Sequence, residues 1–532
     1  MRRESTKALL FAAAFLAGSV TGPDTAKAGP AFRTVVIPAH SYTGGWEFFV
    51  GGGVAVFDCN GDHLPELFAA GGAGPARLFL NATPAPGAPL AFTEHTPEAL
   101  AITGATGAYP LDLDNDGILD LALLRFGENR LLRGLGECRF APFPDDLGFT
   151  SADRWTTAFS ATWETDQRLP TLAFGNYVDR HDPDGPFRAC DANMLYRPEG
   201  DRYVPPLGLE PGFCALSALF SDWGRRGRAD LRLSNDRHYY VEGGSEQLWA
   251  MEPTPRLYTE AEGWRPYRLW GMGIASRDLS GDGYADVFLS SMGDQKLQIF
   301  DPSTGGPTFL DAPYARGTTA HRPYVGDDGR PSTGWHIAFG DVQNDGLDDV
   351  FIAKGNVQEM PGLAMQDPNN LLVQRANGTF VEMGDVAGVA SMARARGAAF
   401  EDLNLDGRPD LVAVNREAPM EVWENVTAGT GNWLLIDLAQ AAPNTRAVGA
   451  WIELRAGGRV RAREITVGGG HAGGSATFQH FGLGGADQAE IRVIWPDGAA
   501  SAWLALPANG IYRITPGETA PGSLRATSLI PR

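Results

Sequence analysis

Asp112-Leu113-Asp114-Asn115-Asp116-Gly117-Ile118-Leu119-Asp120 runs straight into Leu121-Ala122-Leu123-Leu124, an acidic loop opening onto an apolar strand. Acids at positions 1, 3 and 5 put three oxygens on one side of a tight loop. Glycine at position 6 permits the sharp turn, and a further acid stands at position 9. The same frame returns in Asp278, Ser280, Asp282, Gly283 and Asp286, ahead of Val287-Phe288-Leu289. It returns in Asp341, Gln343, Asp345, Gly346 and Asp349, ahead of Val350-Phe351-Ile352, and in Asp402, Asn404, Asp406, Gly407 and Asp410, ahead of Leu411 to Val414. An earlier copy, Asp58, Asn60, Asp62 and Glu66, has His63 in the glycine slot. Two eroded copies fill the gap between the second and fifth. Asp222, Arg226, Gly227 and Asp230 keep part of the frame, and the stretch from Trp163 to Thr171 keeps only its outline.

Loop starts at 58, 112, 163, 222, 278, 341 and 402 are 51 to 63 residues apart, so seven modules are expected. In each, a glycine-bearing apolar segment such as Gly334 to Phe339 leads into the loop, and a strand leaves it. Two further short strands follow, as in Asn370 to Val373 and Phe380 to Met383. Four short strands at regular spacing predict a propeller blade, and seven of them an all-β, seven-bladed β-propeller over residues 29–430. The last module lacks a fourth strand before residue 430. Phe32 to Ile37 stands before loop 1 much as Phe380 to Met383 stands before loop 7, and is expected to supply it.

Calcium takes six to eight oxygen ligands, some of them backbone carbonyls. The expected ligands are the side chains at positions 1, 3, 5 and 9 and the carbonyl at position 7, contributed by Leu64, Ile118, Tyr284, Leu347 and Arg408. An EF-hand would place a bidentate Glu at position 12, where this chain has Ala69, Leu123, Leu289, Ile352 and Ala413. The flanks are also strands, so EF-hands are excluded. Asp and Gly alone make good turns, but turn chemistry does not require acids at 1, 5 and 9 together in five loops. Up to five calcium sites are expected, with loop 2 the best supplied with carboxylates. In loop 4, Arg226 fills the slot of the position 5 acid, and an internal salt bridge from Arg226 to Asp222 and Asp230 is expected in place of an ion.

The chain has 532 residues, 44 of them Lys or Arg and 64 Asp or Glu, for a formal charge of −20. No basic field of this kind draws in nucleic acid. Arg2, Arg3 and Lys7 precede an apolar run from Ala8 to Val20, and Ala26-Lys27-Ala28 offers a cleavage site. Residues 1–28 therefore read as a signal peptide, too short in its apolar part for a membrane anchor, and the product as exported, periplasmic or secreted. Four cysteines in an exported chain suggest two disulfides. The nearest pair, Cys190 and Cys214, closes a loop worth roughly 3.5 kcal/mol on the chain-entropy model and leaves Cys59 with Cys138; free buried thiols are the alternative.

These loops resemble the FG-GAP/VCBS repeats of integrin-α-type propellers. The C-terminal region resembles the ASPIC/UnbV domain of the cartilage acidic protein family, through Gly469-Gly470-His471, His480-Phe481-Gly482-Leu483-Gly484 and Trp495-Pro496-Asp497-Gly498. The resemblance implies a secreted, calcium-binding, adhesion-like protein. Read from its own residues, 431–515 holds short β-rich segments separated by Gly, Pro and Asn, so a small β-sandwich is expected, with residues 516–532 as a flexible tail.

No H-E-x-x-H, G-x-S-x-G or Walker loop is present. The histidines (His238, His321, His336, His471 and His480 among them) are scattered. Trp155, Trp270, Trp335 and Arg396 lie on segments entering the acidic loops and are expected either to form a ligand platform at the channel or to pack between blades. The expected function is binding of an extracellular or periplasmic protein or glycan without catalysis. The alternative is a polysaccharide hydrolase or lyase using the propeller face.

Overall fold

The computed structural model describes residues 29–186, 188–236, 244–293, 295–319, 332–357, 366–517 and 524–529. The expected signal segment lies outside them, as do His238 and His321. The described chain is all-β, with one short α-turn at Gly384–Ala387.

Seven sheet units follow one another along the chain, each starting with an innermost strand: Val54–Phe57, Ala105–Leu111, Asp153–Thr162, Ala215–Ser221, Gly271–Arg277, Gly334–Gly340 and Arg394–Glu401; the second and third are joined into one eight-stranded sheet where Asp153 to Trp155 pair with Phe126 to Glu128. Each innermost strand packs beside the next, and the seventh beside the first. Separate apolar cores fill the spaces between successive sheets. Phe159 and Phe174 meet Leu124 between the second and third, Trp249 meets Leu195 between the third and fourth, and Phe351 meets Trp423 between the sixth and seventh. Both faces of the middle strands are therefore buried, which is why most of them are apolar runs rather than alternating ones; the exception is the fourth, with Arg232 buried between Leu231 and Leu233. The seventh sheet takes its outer strand from the N-terminus: Phe32–Val35 pairs antiparallel with Glu421–Asn425, Phe32 opposite Asn425.

Both disulfides are formed, Cys59–Cys138 and Cys190–Cys214. The first ties loop 1 to the outer hairpin of the second sheet, and the second ties the third sheet's irregular connection to the start of the fourth.

Residues 432–516 fold into two four-stranded sheets, one holding Asn432–Leu438, Gln479–Gly484 and Gly510–Pro516, the other Trp451–Ala456, Arg459–Glu464 and Gln488–Ile494. Ile436, Phe481 and Ile514 from the first face Ile452, Ile491 and Val493 from the second across a common core. The expected flexible tail needs correction. Leu524–Ser528 adds an edge strand to this unit, pairing with Gly510–Pro516, because alternate residues Leu524 and Ala526 reach the core. Among the described residues, no helix is long and apolar enough to cross a membrane.

Candidate metal loops and the plugged channel

Loops 2, 5, 6 and 7 share one hydrogen-bond plan, loop 4 keeps its position 1 part, and in loop 1 Asp58 accepts instead from Asn60, Gly61 and His63 N–H. The position 1 carboxylate accepts from the backbone N–H of positions 5 and 6, as Asp112 does from Asp116 (3.1 Å) and Gly117 (3.0 Å), and Asp341 from Asp345 and Gly346. Asp402, Asp278 and Asp222 repeat this. The position 5 carboxylate accepts from the N–H of position 7, which is Leu64, Ile118, Tyr284, Leu347 or Arg408. The position 6 residue has φ of +89°, +91°, +83° and +84° at Gly117, Gly283, Gly346 and Gly407, and +73° at His63, which adopts the glycine conformation despite its side chain.

The position 9 acid is also tied to the sheet. Asp120 accepts from Leu113 N–H with one oxygen and from Gly134 N–H, on the third strand, with the other, both at 2.8 Å. Asp286, Asp349 and Asp410 do the same, each bridging position 2 and a third-strand N–H. Glu66 accepts from Cys59 N–H and the Asn60 amide. These acids are buried pins between loop and sheet, because they start a strand that is covered on both faces. Burial pushes Asp120 and Glu66 each up to about 8 and Asp286 up to about 7. In loop 2 Asp114 and Asp116 are the more exposed donors, whereas Asp112 at position 1 is buried and accepts backbone N–H bonds as position 9 does. In loop 2, carboxylate oxygens of Asp112, Asp114 and Asp116 lie within 4.8 Å of one another. These three carboxylates offer oxygen donors of the kind calcium takes. Arg133 reaches in from the third strand to Asp114 (2.6 Å) and Asp116 (2.9 Å). In loop 1, Cys59 and Cys138 also lie near Glu66, but their sulfurs are joined in the disulfide and are no thiolate ligands.

Loop 4 corrects the salt-bridge expectation. Arg226 gives Asp222 only its backbone N–H, and its guanidinium lies over the Trp223 ring, 4.0 Å from the centroid. Arg228 pairs with Asp230 at 3.3 Å, and Trp223 Nε1 and Tyr258 Oη donate to the same acid. Position 5 points away from the position 1 acid here because the indole offers the guanidinium a flat face.

The loop face is covered. The C-terminal sandwich rests on it: Thr445 donates to Asp112, Asn444 N–H to Asn115 (2.5 Å), Ala462 N–H to Asp278 (3.1 Å), Gly431 N–H to the Gln343 carbonyl (2.8 Å), and Glu464 accepts from Asp222 N–H (2.7 Å). From the sandwich, Val467-Gly468-Gly469-Gly470-His471-Ala472-Gly473-Gly474 leaves the core and fills the space enclosed by the seven innermost strands. Val467 meets Ser160 and Ala161, Gly469 meets Tyr109 and Ala218, Gly470 meets Ile274, Ala472 meets Ala108, and Gly474 meets Val56. Thr477 donates to Glu401 of the seventh sheet. A side chain at Gly470 would strike the His336 ring 2.2 Å away, so glycine is needed there for close approach.

At the tip, His471 is fully buried. Its Nδ1 faces the carbonyls of Leu216 and Met272 (both 3.2 Å), and its Nε2 accepts from Gly51 N–H (3.1 Å). His336 Nδ1 accepts from His471 N–H (3.0 Å). Burial pushes His336 down to about 4. Burial and then the neighbouring His336 push His471 down to about 3. The tryptophans and Arg396 gather here too, but not as an open platform. Trp335 lies 5.0 Å from the His471 ring, with Arg396 4.1 Å over it. Trp155 stacks edge-on with Trp46 and Tyr177, and Trp270 joins the same cluster. Trp155, Trp335 and Arg396 are closed to solvent, so of the two expectations the packing one is met. The plug is what sequence reasoning missed. Its one signal was a glycine density too high for any strand.

The FG-GAP-like repeat matches residues 58–123 and 341–413, and ASPIC and UnbV matches residues 440–521. The chain thus carries FG-GAP-like repeats followed by an ASPIC and UnbV domain. Neither match reaches to the cartilage acidic proteins. No curated protein matches the chain. Among solved structures it is similar to an Agrocybe aegerita lectin recognising non-reducing terminal N-acetylglucosamine (14% identity, 62% of this chain and 79% of that one, TM-score 0.38). It is also similar to BBS1N in complex with ARL6DN (11% identity, 75% and 98%, TM-score 0.42) and to the rhamnogalacturonan lyase YesW (15% identity, 74% and 75%, TM-score 0.34). These likenesses are loose.

Proposed function

We propose that this chain is an exported, calcium-stabilised binding protein built as a seven-bladed β-propeller, latched by its N-terminal strand, and that it catalyses nothing. Successive packing of the seven innermost strands supports the ring. The two disulfides fit an oxidising compartment. The observation that carries the reading is the recurrence of one oxygen-rich loop geometry beneath the C-terminal domain. In each of loops 1, 2, 5, 6 and 7 the side chains at positions 1, 3, 5 and 9 and the carbonyl at position 7 would hold the ion. A bound calcium there supplies a structural cross-link, neutralising loop acids and stiffening the floor on which the C-terminal domain sits. The partner is an extracellular or periplasmic protein or glycan.

The test is thermal unfolding of residues 29–532 with and without calcium. EGTA lowers the midpoint by several degrees, since each site held at a hundredfold excess over its Kd adds about 2.7 kcal/mol. Magnesium rescues poorly, because it demands rigid octahedral sites and keeps its water. An unchanged midpoint in metal-free protein rules the reading out. Turnover of polysaccharide, ester or phosphate substrates, abolished by changing a carboxylate outside the loops, overturns the non-catalytic part.

A further inference from the structure

Beside loops 5 and 6, where the hairpin Trp451–Ala456/Arg459–Glu464 of the C-terminal domain overhangs the fifth and sixth sheets, lies an open groove of about 820 Å³. Its charge is the opposite of the molecule's. Four arginines line it: Arg316, Arg375, Arg459 and Arg461. Arg459 and Arg461 alternate along one strand and so share a face. The Arg461 guanidinium would stand 3.7 Å from a Cβ at Gly346 in loop 6. That of Arg316 would stand 3.8 Å from one at Gly378 on the opposite wall. Nearly every other arginine near a surface acid is paired, as Arg33, Arg133, Arg256 and Arg513 are. Among the described residues, Arg316, Arg375 and Arg459 have no carboxylate within ion-pair distance, and Arg316 Nε is buried without a hydrogen-bond partner. The only acids in the lining, Asp278 and Asp348, are buried and engaged: Asp278 by backbone N–H groups, Asp348 by Arg463 (3.3 Å).

We propose that this groove binds an anionic polysaccharide through its carboxylate or sulfate groups; the inference rests on the binding role proposed above and names its ligand class and site. Guanidinium forks match carboxylate and sulfate oxygens in pairs. The lining holds no aromatic residue. It therefore lacks both the rings that stack on neutral sugars or bases and the aromatic anchors typical of protein partners. What the groove recognises is repeated anionic charge on a polar chain. Its strength is local, since the net charge of the protein opposes polyanions beyond a Debye length of about 8 Å.

The experiment is calorimetric titration of calcium-loaded residues 29–532 with polygalacturonate, dextran sulfate, dextran, poly-L-glutamate and single-stranded DNA. Polygalacturonate or dextran sulfate binds, uncharged dextran does not, and added salt weakens binding. The doubly exposed variant Arg375→Ser/Arg459→Ser keeps the thermal midpoint and its calcium-dependent rise but binds at least tenfold more weakly. Absence of polysaccharide binding, equal binding of dextran, undiminished binding by the variant, or equal binding of poly-L-glutamate or DNA each overturns the proposal. If calcium still raises the midpoint while no polyanion binds, the groove fails and the calcium-binding reading stands. Cleavage of the bound polysaccharide would reverse the outcome for catalysis and leave the groove supported.

Discussion

Gly107→Val costs about 4 kcal/mol or more and loosens the C-terminal domain from the ring. A Cβ at Gly107 falls 1.6 Å from the Ala472 carbonyl oxygen, and one at Gly53, across the plug, falls 1.8 Å from the same oxygen. Both obstacles are backbone, which cannot swing aside as a side chain can. Overpacking a core costs typically 1–3 kcal/mol when side chains can adjust, and more when they cannot. Here relief requires withdrawing a segment that hydrogen-bonds to six of the seven sheet units, so the loss spreads to the loop face beneath the sandwich. Chemical denaturation reads the stability, and limited proteolysis near residues 465–477 reads the release. Gly485→Ala, whose Cβ meets nothing within 4 Å, serves as the control and stays within about 0.5 kcal/mol. A Gly107→Val protein within 1 kcal/mol of wild type would show that the plug does not occupy the channel.

Acid removes a large part of the stability through the buried histidine pair. His336 and His471 are neutral in the fold, at about 4 and about 3, and titrate near 6.5 when unfolded. Their folded values are depressed, so the unfolded chain binds more protons between pH 6.5 and 4. The stabilisation is complete above 6.5 and is lost as pH falls toward 4, roughly 3 kcal/mol for His336 alone. The geometry gives the same sign. A proton on His336 Nδ1 would confront the His471 N–H, and one on His471 Nε2 would confront the Gly51 N–H. Arg396, stacked on Trp335, adds further repulsion. Glu464 works the other way, as do the raised carboxylates Glu66, Asp120 and Asp286. Burial raises Glu464 to about 8, so acidification below that value relieves a cost it imposes at neutral pH. The comparison is therefore between wild type and His336→Asn/His471→Asn. Wild type loses more stability than the double variant between pH 6.5 and 4 in urea denaturation. Equal acid limbs would place the two histidines in solvent.

The repeat and the order of strands within each sheet were legible because they are local, and the N-terminal outer strand because the last module lacks a fourth strand of its own. Loop acids recur at fixed offsets, turns carry glycine, and most middle strands buried on both faces are apolar runs. The cysteine pairs followed from count and proximity. The roles within the loops were only half legible. Nothing in Asp120 or Asp349 distinguishes a ligand from a pin, because the N–H groups that claim them belong to a strand some 14 to 25 residues away. Arg226 misled for a similar reason: its partner is an indole three residues back, and the acid it was expected to meet is held by Arg228. Leu524–Ser528 read as a tail because a single short edge strand has too little pattern to stand out.

By itself, then, the amino-acid order determined the repeating modules and where each loop carries its acids, since backbone turn preferences and burial on two faces act within a few tens of residues. Only the tertiary structure decided that Val467 to Gly474 closes the channel, that the sandwich covers the acidic face and that four arginines from three separate segments meet in one groove. Those arrangements join residues up to several hundred positions apart, as Gly51 and His471 are. Contacts at that range are set by complementary surfaces that exist only after each sheet has formed, and no local pattern records them.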